Sequence, residues 1–232
     1  MGFLSSIADN LGILQDRIAA AAGRAGRDPS EITVVGVTKN VEAQRIAEAV
    51  AVGIRDFGEN RVQEAAEKIP RVHADVTWHF VGHLQRNKAK DAVELFSLMH
   101  SLDSIRLARE LDRRCEMADS TIDLLLQVNI SGEATKFGVP PEMARDVLLE
   151  IARYERLRVR GLMVIAPYSD NPEDSRPWFS QARQLTRELG RLSISNVSMD
   201  ELSMGMSGDY EVAIEEGATI IRVGTAIFGE RQ

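Results

Sequence analysis

Short apolar, β-branched runs recur along the chain, and each is followed by a stretch with helical spacing. No other feature limits the fold as strongly. A strand that leads through a helix to the next strand pairs with it in parallel, because the crossover returns the chain to the same end of the sheet. The runs fall at residues 32–38, 56–58, 77–81, 98–102, 122–130, 159–165, 197–203 and 219–223. Eight such strands predict a closed (β/α)8 barrel, of the α/β class, over an open doubly wound sheet. No Gly-x-Gly-x-x-Gly follows the first strand, which weakens a dinucleotide-binding reading. Leu4, Ile7, Leu11, Leu14 and Ile18 share one helical face, so an extra N-terminal helix precedes the barrel. Further helices are expected from Asn60 to before Pro70, over 84–91, after a Ser104 cap, from Pro140-Pro141, and over 207–216. Pro167, Pro172 and Pro177 are assigned to a polar loop.

The 232 residues suffice for one such barrel, and no composition break marks a boundary, so residues 1–232 are read as a single domain. A hydrophobic content of 44% excludes disorder. No apolar run approaches the roughly 18 residues of a membrane span. The N-terminus carries acidic residues and spaced apolar ones, unlike a signal peptide. Met1-Gly2 with Ser6 matches an acylation pattern only loosely. A net charge of −7 argues against general nucleic-acid binding. The cluster Arg86, Lys88, Lys90 reads as a solvated helix face. Cys115 is alone in a helical stretch and reads as a buried, inert thiol, without disulfide or metal-type spacing. The expectation is a cytoplasmic protein with no membrane or nucleic-acid partner.

Barrel enzymes build their sites at the C-terminal ends of the strands, often with a phosphate held after strands seven and eight. Those loops carry Gly205-Met206-Ser207 and Gly224-Thr225. Glycines admit an anion close to backbone N–H groups, and hydroxyls add donors. Ser207 is expected to cap the helix after it, adding the helix dipole. The alternative is that these glycines are plain turn residues. On the first strand, Thr33, Val35, Val37 and Lys39 share a face. If it points inward, the Lys39 amine sits at the barrel mouth, where partial desolvation would lower its pKa and suit it to forming a Schiff base. A strand-end lysine reaching to solvent is the plainer reading. Arg222 lies mid-strand among apolar residues and requires a partner there. That partner is either a carboxylate such as Glu201 or a ligand. An anion cradle, a lysine and an inward arginine together suggest pyridoxal 5′-phosphate (PLP), with Arg222 at the pyridine nitrogen. A permanently protonated Arg there leaves that nitrogen unprotonated and the ring a weaker electron sink. His79 and His83 lack a third ligand nearby, so no metal is expected. His83 is placed on the pocket wall instead. Asn60 either hydrogen-bonds a ring hydroxyl or caps the next helix. Met163, Met199, Met204 and Met206 fill core or pocket walls.

Segments at 35–39 (VGVTK), 56–60 (DFGEN), 62–64 (VQE), 78–88 (WHFVGHLQRNK), 100–103 (HSLD), 127–131 (QVNIS), 160–163 (RGLM), 202–207 (LSMGMS) and 222–229 (RVGTAIFG) resemble, in order, those of the pyridoxal phosphate homeostasis proteins, the YggS/PROSC family. The resemblance spans nearly the whole chain. It implies a fold-type III barrel like the N-terminal domain of alanine racemases, and PLP carried on Lys39 as an internal aldimine. It also assigns Asn60, His83, Ser203, Met206, Ser207, Arg222, Gly224 and Thr225 to the cofactor site. The implied role is PLP supply or buffering, with PLP and, transiently, apo PLP-dependent enzymes as partners, and a monomeric state. Asn40 stands where a Thr is common in the family, and Arg61 where a Tyr is common. The competing reading is a PLP-dependent amino-acid racemase. It needs an acid/base on each face of the substrate, and Tyr168 is the one candidate opposite Lys39. Two-domain racemases bring that tyrosine from a second domain, which this sequence is expected to lack.

Overall fold

The computed structural model describes residues 6–229. The chain runs α1 (Ile7–Arg24), β1 (Thr33–Val37), α2 (Ala43–Ala51), β2 (Asp56–Glu59), α3 (Val62–Lys68), β3 (Thr77–Phe80), α4 (Ala89–Leu95), β4 (Leu98–Leu102), α5 (Ile105–Met117) and β5 (Ile122–Gln127). It continues through α6 (Ala144–Ile151), β6 (Leu157–Met163), α7 (Arg176–Gly190), β7 (Val197–Ser203), α8 (Tyr210–Glu215), β8 (Ile220–Val223) and α9 (Thr225–Phe228). The strands pair in order and in parallel, and β8 returns to β1 to close the barrel. The register at closure sets Val35 beside Arg222. Period-two alternation divides the apolar residues between two cores. Val35, Leu125, Met163 and Ile220 meet inside the barrel, while Phe57, Trp78, Leu124 and Leu126 join the larger core under the helices.

The expected leading helix is present, although Met1, Gly2 and Leu4 lie outside the described residues. Ser6 and Asp9 form a reciprocal capping box at its start. Ile7, Leu11, Leu14 and Ile18 are buried, as their spacing requires, against the region of α8 and α9. Asn10 Nδ2 donates to the Ile227 carbonyl at 3.0 Å, and Arg24 reaches Glu211 and Glu215. This fastens the first helix to the two elements that follow the proposed anion loops. Among the described residues, no helix is long and apolar enough to cross a membrane.

Several boundaries differ from the sequence expectation. The helix expected over 84–91 begins as a short 3-10 turn, Arg86–Lys88, and becomes α-helical only at Ala89. The strand expected over 122–130 stops at Gln127, whose side chain donates to the Phe137 carbonyl and draws residues 128–139 into a loop closed by a Val128–Val139 bridge. β6 begins two residues earlier than expected. Pro177 lies in the first turn of α7, where its missing N–H removes no helical bond. Ser207 does not cap α8. The helix starts at Tyr210 after Asp209, whose Oδ1 accepts the Met206 N–H at 2.7 Å.

Candidate functional site

A cavity of about 520 Å³ opens at the C-terminal ends of the strands. Its wall is built from Val37 at the end of β1, Asn60 after β2, Lys136 in the loop after β5, residues 165–169 after β6, residues 206–209 after β7, and Gly224 and Thr225 after β8.

Ser207 joins the last two loops. Its Oγ accepts from the N–H groups of Gly224 at 3.2 Å and Ala226 at 3.4 Å. The hydroxyl thus caps the turn after β8, not the helix after its own loop. Gly205 makes the approach possible. It has φ +89, and a Cβ there would lie 2.6 Å from Ala213 Cβ and 2.9 Å from Tyr210 Cα. Its carbonyl accepts the Arg222 N–H at 3.0 Å. Among the described residues, the backbone N–H groups of Ser207, Gly208 and Thr225 have no protein acceptor, and all three residues line the cavity. That is a set of donors suited to an anion.

Arg222 is 5% exposed and lines the same cavity. The carboxylate pairing with Glu201 is not what the structure shows: Glu201 Oε2 accepts from Thr219 Oγ1 at 2.6 Å. Arg222 instead donates Nη1 to Ser203 Oγ at 2.5 Å and Nη2 to the Val164 carbonyl at 3.0 Å. Its other guanidinium N–H groups have no protein acceptor among the described residues. Burial lowers the guanidinium to about 10 while Asp209 opposes the shift, so it remains a cation at neutral pH. Asn60 also lines the cavity, and its buried Oδ1 has no hydrogen-bond partner. It does not cap α3, which begins after Arg61. A buried acceptor left open in a ligand-sized cavity favours the ligand reading over the capping one.

Lys39 lies in the turn directly after β1, half-buried, two residues beyond the cavity-lining Val37. Its own side chain is not part of the cavity wall and has no hydrogen bond or ion pair among the described residues. The turn is held from both sides. Lys68 Nζ donates to Glu59 Oε1 at 2.5 Å, to the Thr38 carbonyl at 2.7 Å and to Glu64 Oε1 at 2.9 Å. Thr38 Oγ1 donates to Glu59 Oε1 at 2.6 Å, and the Asn40 N–H donates to Glu64 Oε1 at 2.6 Å. Both neighbours of Lys39 are therefore tied to one buried ionic cluster. Burial raises the Glu59 carboxyl above its ordinary range, with Lys68 and Thr38 pulling the other way.

Besides Lys39, two assigned residues lie off the cavity wall. Ser203 is fully buried and serves as the anchor of Arg222, not as cavity wall. His83 stacks on Phe137, with ring centroids 3.7 Å apart, and pairs with Asp103 at 3.1 Å. It belongs to a neighbouring surface cleft, because β3 ends at Phe80 and the chain has left the barrel by residue 83. Sequence reasoning missed Lys136 and Asp209 on the wall and His100 in the interior. His100 carried the same signal as Arg222, a polar residue within an apolar strand.

His100 is fully buried, and burial first, then His79 and Arg222, hold it well below 6.5. Above pH 6.5 it is neutral folded or unfolded. As pH falls below 6.5 the unfolded chain takes up a proton that the folded chain refuses, so stability drops by up to about 1.4 kcal/mol per pH unit. Urea unfolding between pH 7.5 and 5 should show this slope, and a His100→Gln variant should lose it.

The sequence matches relatives along nearly its whole length. The pyridoxal phosphate homeostasis protein of Aquifex aeolicus is 44% identical over 97% of this chain and 98% of its own length. That of Escherichia coli K12 is 40% identical, over 98% of each chain. The chain belongs to the pyridoxal phosphate homeostasis protein family. Residues 10–232 also match the family described as alanine racemase, N-terminal domain. Among solved structures of this architecture, PipY of Synechococcus elongatus PCC7942, determined with PLP bound, is 39% identical with a TM-score of 0.84, covering 97% of this chain and 100% of that one. Asn40 takes φ 58, a left-handed conformation that asparagine tolerates better than a β-branched threonine.

Proposed function

We propose that this chain binds pyridoxal 5′-phosphate and acts in intracellular PLP homeostasis, as a holder from which the cofactor is supplied. The carrying observation is the cavity in which free N–H donors of the Ser207 and Thr225 loops, the Arg222 cation and the open Asn60 Oδ1 converge. These are an anion cradle, a donor for a ring nitrogen and an acceptor for a ring hydroxyl, in one space of suitable size. PLP supplies an aldehyde that an amine can capture and a ring that withdraws electrons. Lys39 offers the amine. Ser207, Gly224 and Thr225 hold the phosphate, Arg222 donates to the ring nitrogen, and Met206 covers the ring. Arg222 keeps its own proton at that nitrogen, which limits electron withdrawal.

Tyr168 weighs against the racemase reading. It lines the cavity but is 90% exposed, and its hydroxyl donates to Asp170 at 2.8 Å, which raises its pKa. A phenol held protonated in solvent is poorly placed to take a substrate proton. We further propose a cytoplasmic monomer that meets apo PLP-dependent enzymes transiently. The test is to mix PLP-loaded protein with an apo PLP enzyme and follow the return of activity. Activation faster than free-cofactor leakage, measured behind a dialysis membrane, is expected. Equal rates in the two arms would refute the supply role, and turnover of a chiral amino acid abolished by Tyr168→Phe would favour the racemase.

A further inference from the structure

One polar line crosses the apolar interior of the barrel. Arg222 Nη1 meets Ser203 Oγ at 2.5 Å, Ser203 Oγ meets His100 Nδ1 at 2.9 Å, His100 Nε2 meets His79 Nδ1 at 2.9 Å, and His79 Nε2 meets Asp56 Oδ1 at 3.1 Å. Four of the five side chains are almost wholly buried. Asp56, the first residue of β2, is 29% exposed, and the line ends there, at the strand end away from the cavity.

With Asp56 ionised and both imidazoles neutral, donor and acceptor rules fix the direction of every bond. A guanidinium only donates, so the Ser203 oxygen accepts and its hydrogen is free for His100 Nδ1. Neutral His100 then carries its proton on Nε2 and gives it to His79 Nδ1. His79 in turn carries its proton on Nε2 and gives it to Asp56, a carboxylate that only accepts. All four bonds are then satisfied, with both imidazoles in the Nε2–H form. Protonating His100 breaks this series. A charged His100 would point a second N–H at Ser203 Oγ, beside the Arg222 cation, and leave the serine hydrogen without its acceptor.

We propose that Ser203, His100 and His79 are positioning residues that form a one-way hydrogen-bond chain from Arg222 to Asp56, holding the Arg222 guanidinium at a fixed place and charge in the cavity wall. This rests on the reading that Arg222 faces the ring nitrogen of bound PLP. The depressed pKa of His100 is consistent with the all-neutral arrangement. The chain explains how an arginine with no buried carboxylate partner is kept in the barrel. Its charge is spread through polarised bonds that end on Asp56 near solvent. It also explains why an arginine can sit at the ring nitrogen without drifting toward Asp209.

Two measurements test it. Long-range ¹H–¹⁵N NMR of the wild-type protein without cofactor should show His79 and His100 as neutral Nε2–H tautomers at pH 7.5. An Nδ1–H form or an imidazolium at either ring overturns the chain, whatever the cofactor. PLP titration then compares Ser203→Ala, His100→Leu and His100→Gln with wild type. The first two should weaken PLP binding about tenfold or more, equivalent to about 1.4 kcal/mol, and shift the absorption maximum of the bound cofactor. His100→Gln, whose amide can accept from Ser203 and donate to His79, should restore both. If wild type takes up no PLP, the cofactor reading fails. If wild type binds and Ser203→Ala matches its affinity and spectrum, the positioning role alone fails.

Discussion

Lys39→Ala should abolish the visible absorption band expected of PLP on the wild-type protein, and should weaken cofactor binding by about 100-fold or more, or about 2.7 kcal/mol. The fold should scarcely notice. The Lys39 side chain has no hydrogen bond or ion pair among the described residues, and such substitutions usually change stability by less than about 0.5 kcal/mol. Binding lost without stability lost separates a role in capture from one in architecture. Absorption spectra after gel filtration, beside urea unfolding of the same preparations, give both readouts. The cavity wall itself holds a different lysine, Lys136, paired with Glu133 at 3.1 Å. A band that survives Lys39→Ala and disappears in Lys136→Ala would move the attachment to the loop after β5.

Lys68→Ala should be the most destabilising single change near the site. It removes the cation from Glu59, which is fully buried, and takes from the Thr38 carbonyl one of its two donors, the other being the Val41 N–H. Breaking a buried pair in this way costs about 3–5 kcal/mol, most of it the penalty of an uncompensated charge. The sign with pH is opposite to ordinary acid denaturation. Glu59 already has a raised pKa, and without Lys68 it rises further. A folded-state pKa above the unfolded value favours the folded state at low pH and loses that advantage as pH rises. The deficit should therefore be largest near pH 8 and narrow toward pH 5, as Glu59 takes up a proton. Unfolding curves at the two pH values check this. An equal deficit at both would mean that the loss is packing and not charge. Because Thr38 and Asn40 flank Lys39, the variant should also bind PLP more weakly where it remains folded.

The barrel was legible because its signal is periodic and repeated. Strand β7, for example, falls at Val197–Ser203, where the alternation places it, and the Ser104 cap of α5 is where the hydroxyl precedes the apolar spacing. Boundaries failed where a side chain redirects the backbone, as Gln127 does at the end of β5 and Asp209 does before α8. The sequence placed Arg222 within the last strand and Ser207, Gly224 and Thr225 after the last two strands, and all four line the cavity. Three facts required coordinates: that Ser207 spans to the other loop, that Ser203 stands behind Arg222, and that His83 turns away to Phe137. Each depends on a contact between residues distant in sequence. Local pattern specifies which way a side chain can point along its own strand, but not what waits across the barrel.

The closure of β8 against β1 has a kinetic meaning. The lysine turn follows β1 and the anion loops follow β7 and β8, so the two halves of the site meet only when Val35 comes beside Arg222. No shorter unit of the chain contains both. Contacts of such separation form late, after the loop entropy of the intervening chain has been overcome. During synthesis the lysine leaves the ribosome well before its partners, and nothing can be captured until the last strand has docked. On the proposed site, cofactor uptake would therefore report that the ring of strands is complete, and a nascent or partly opened chain would have no site with which to compete for it.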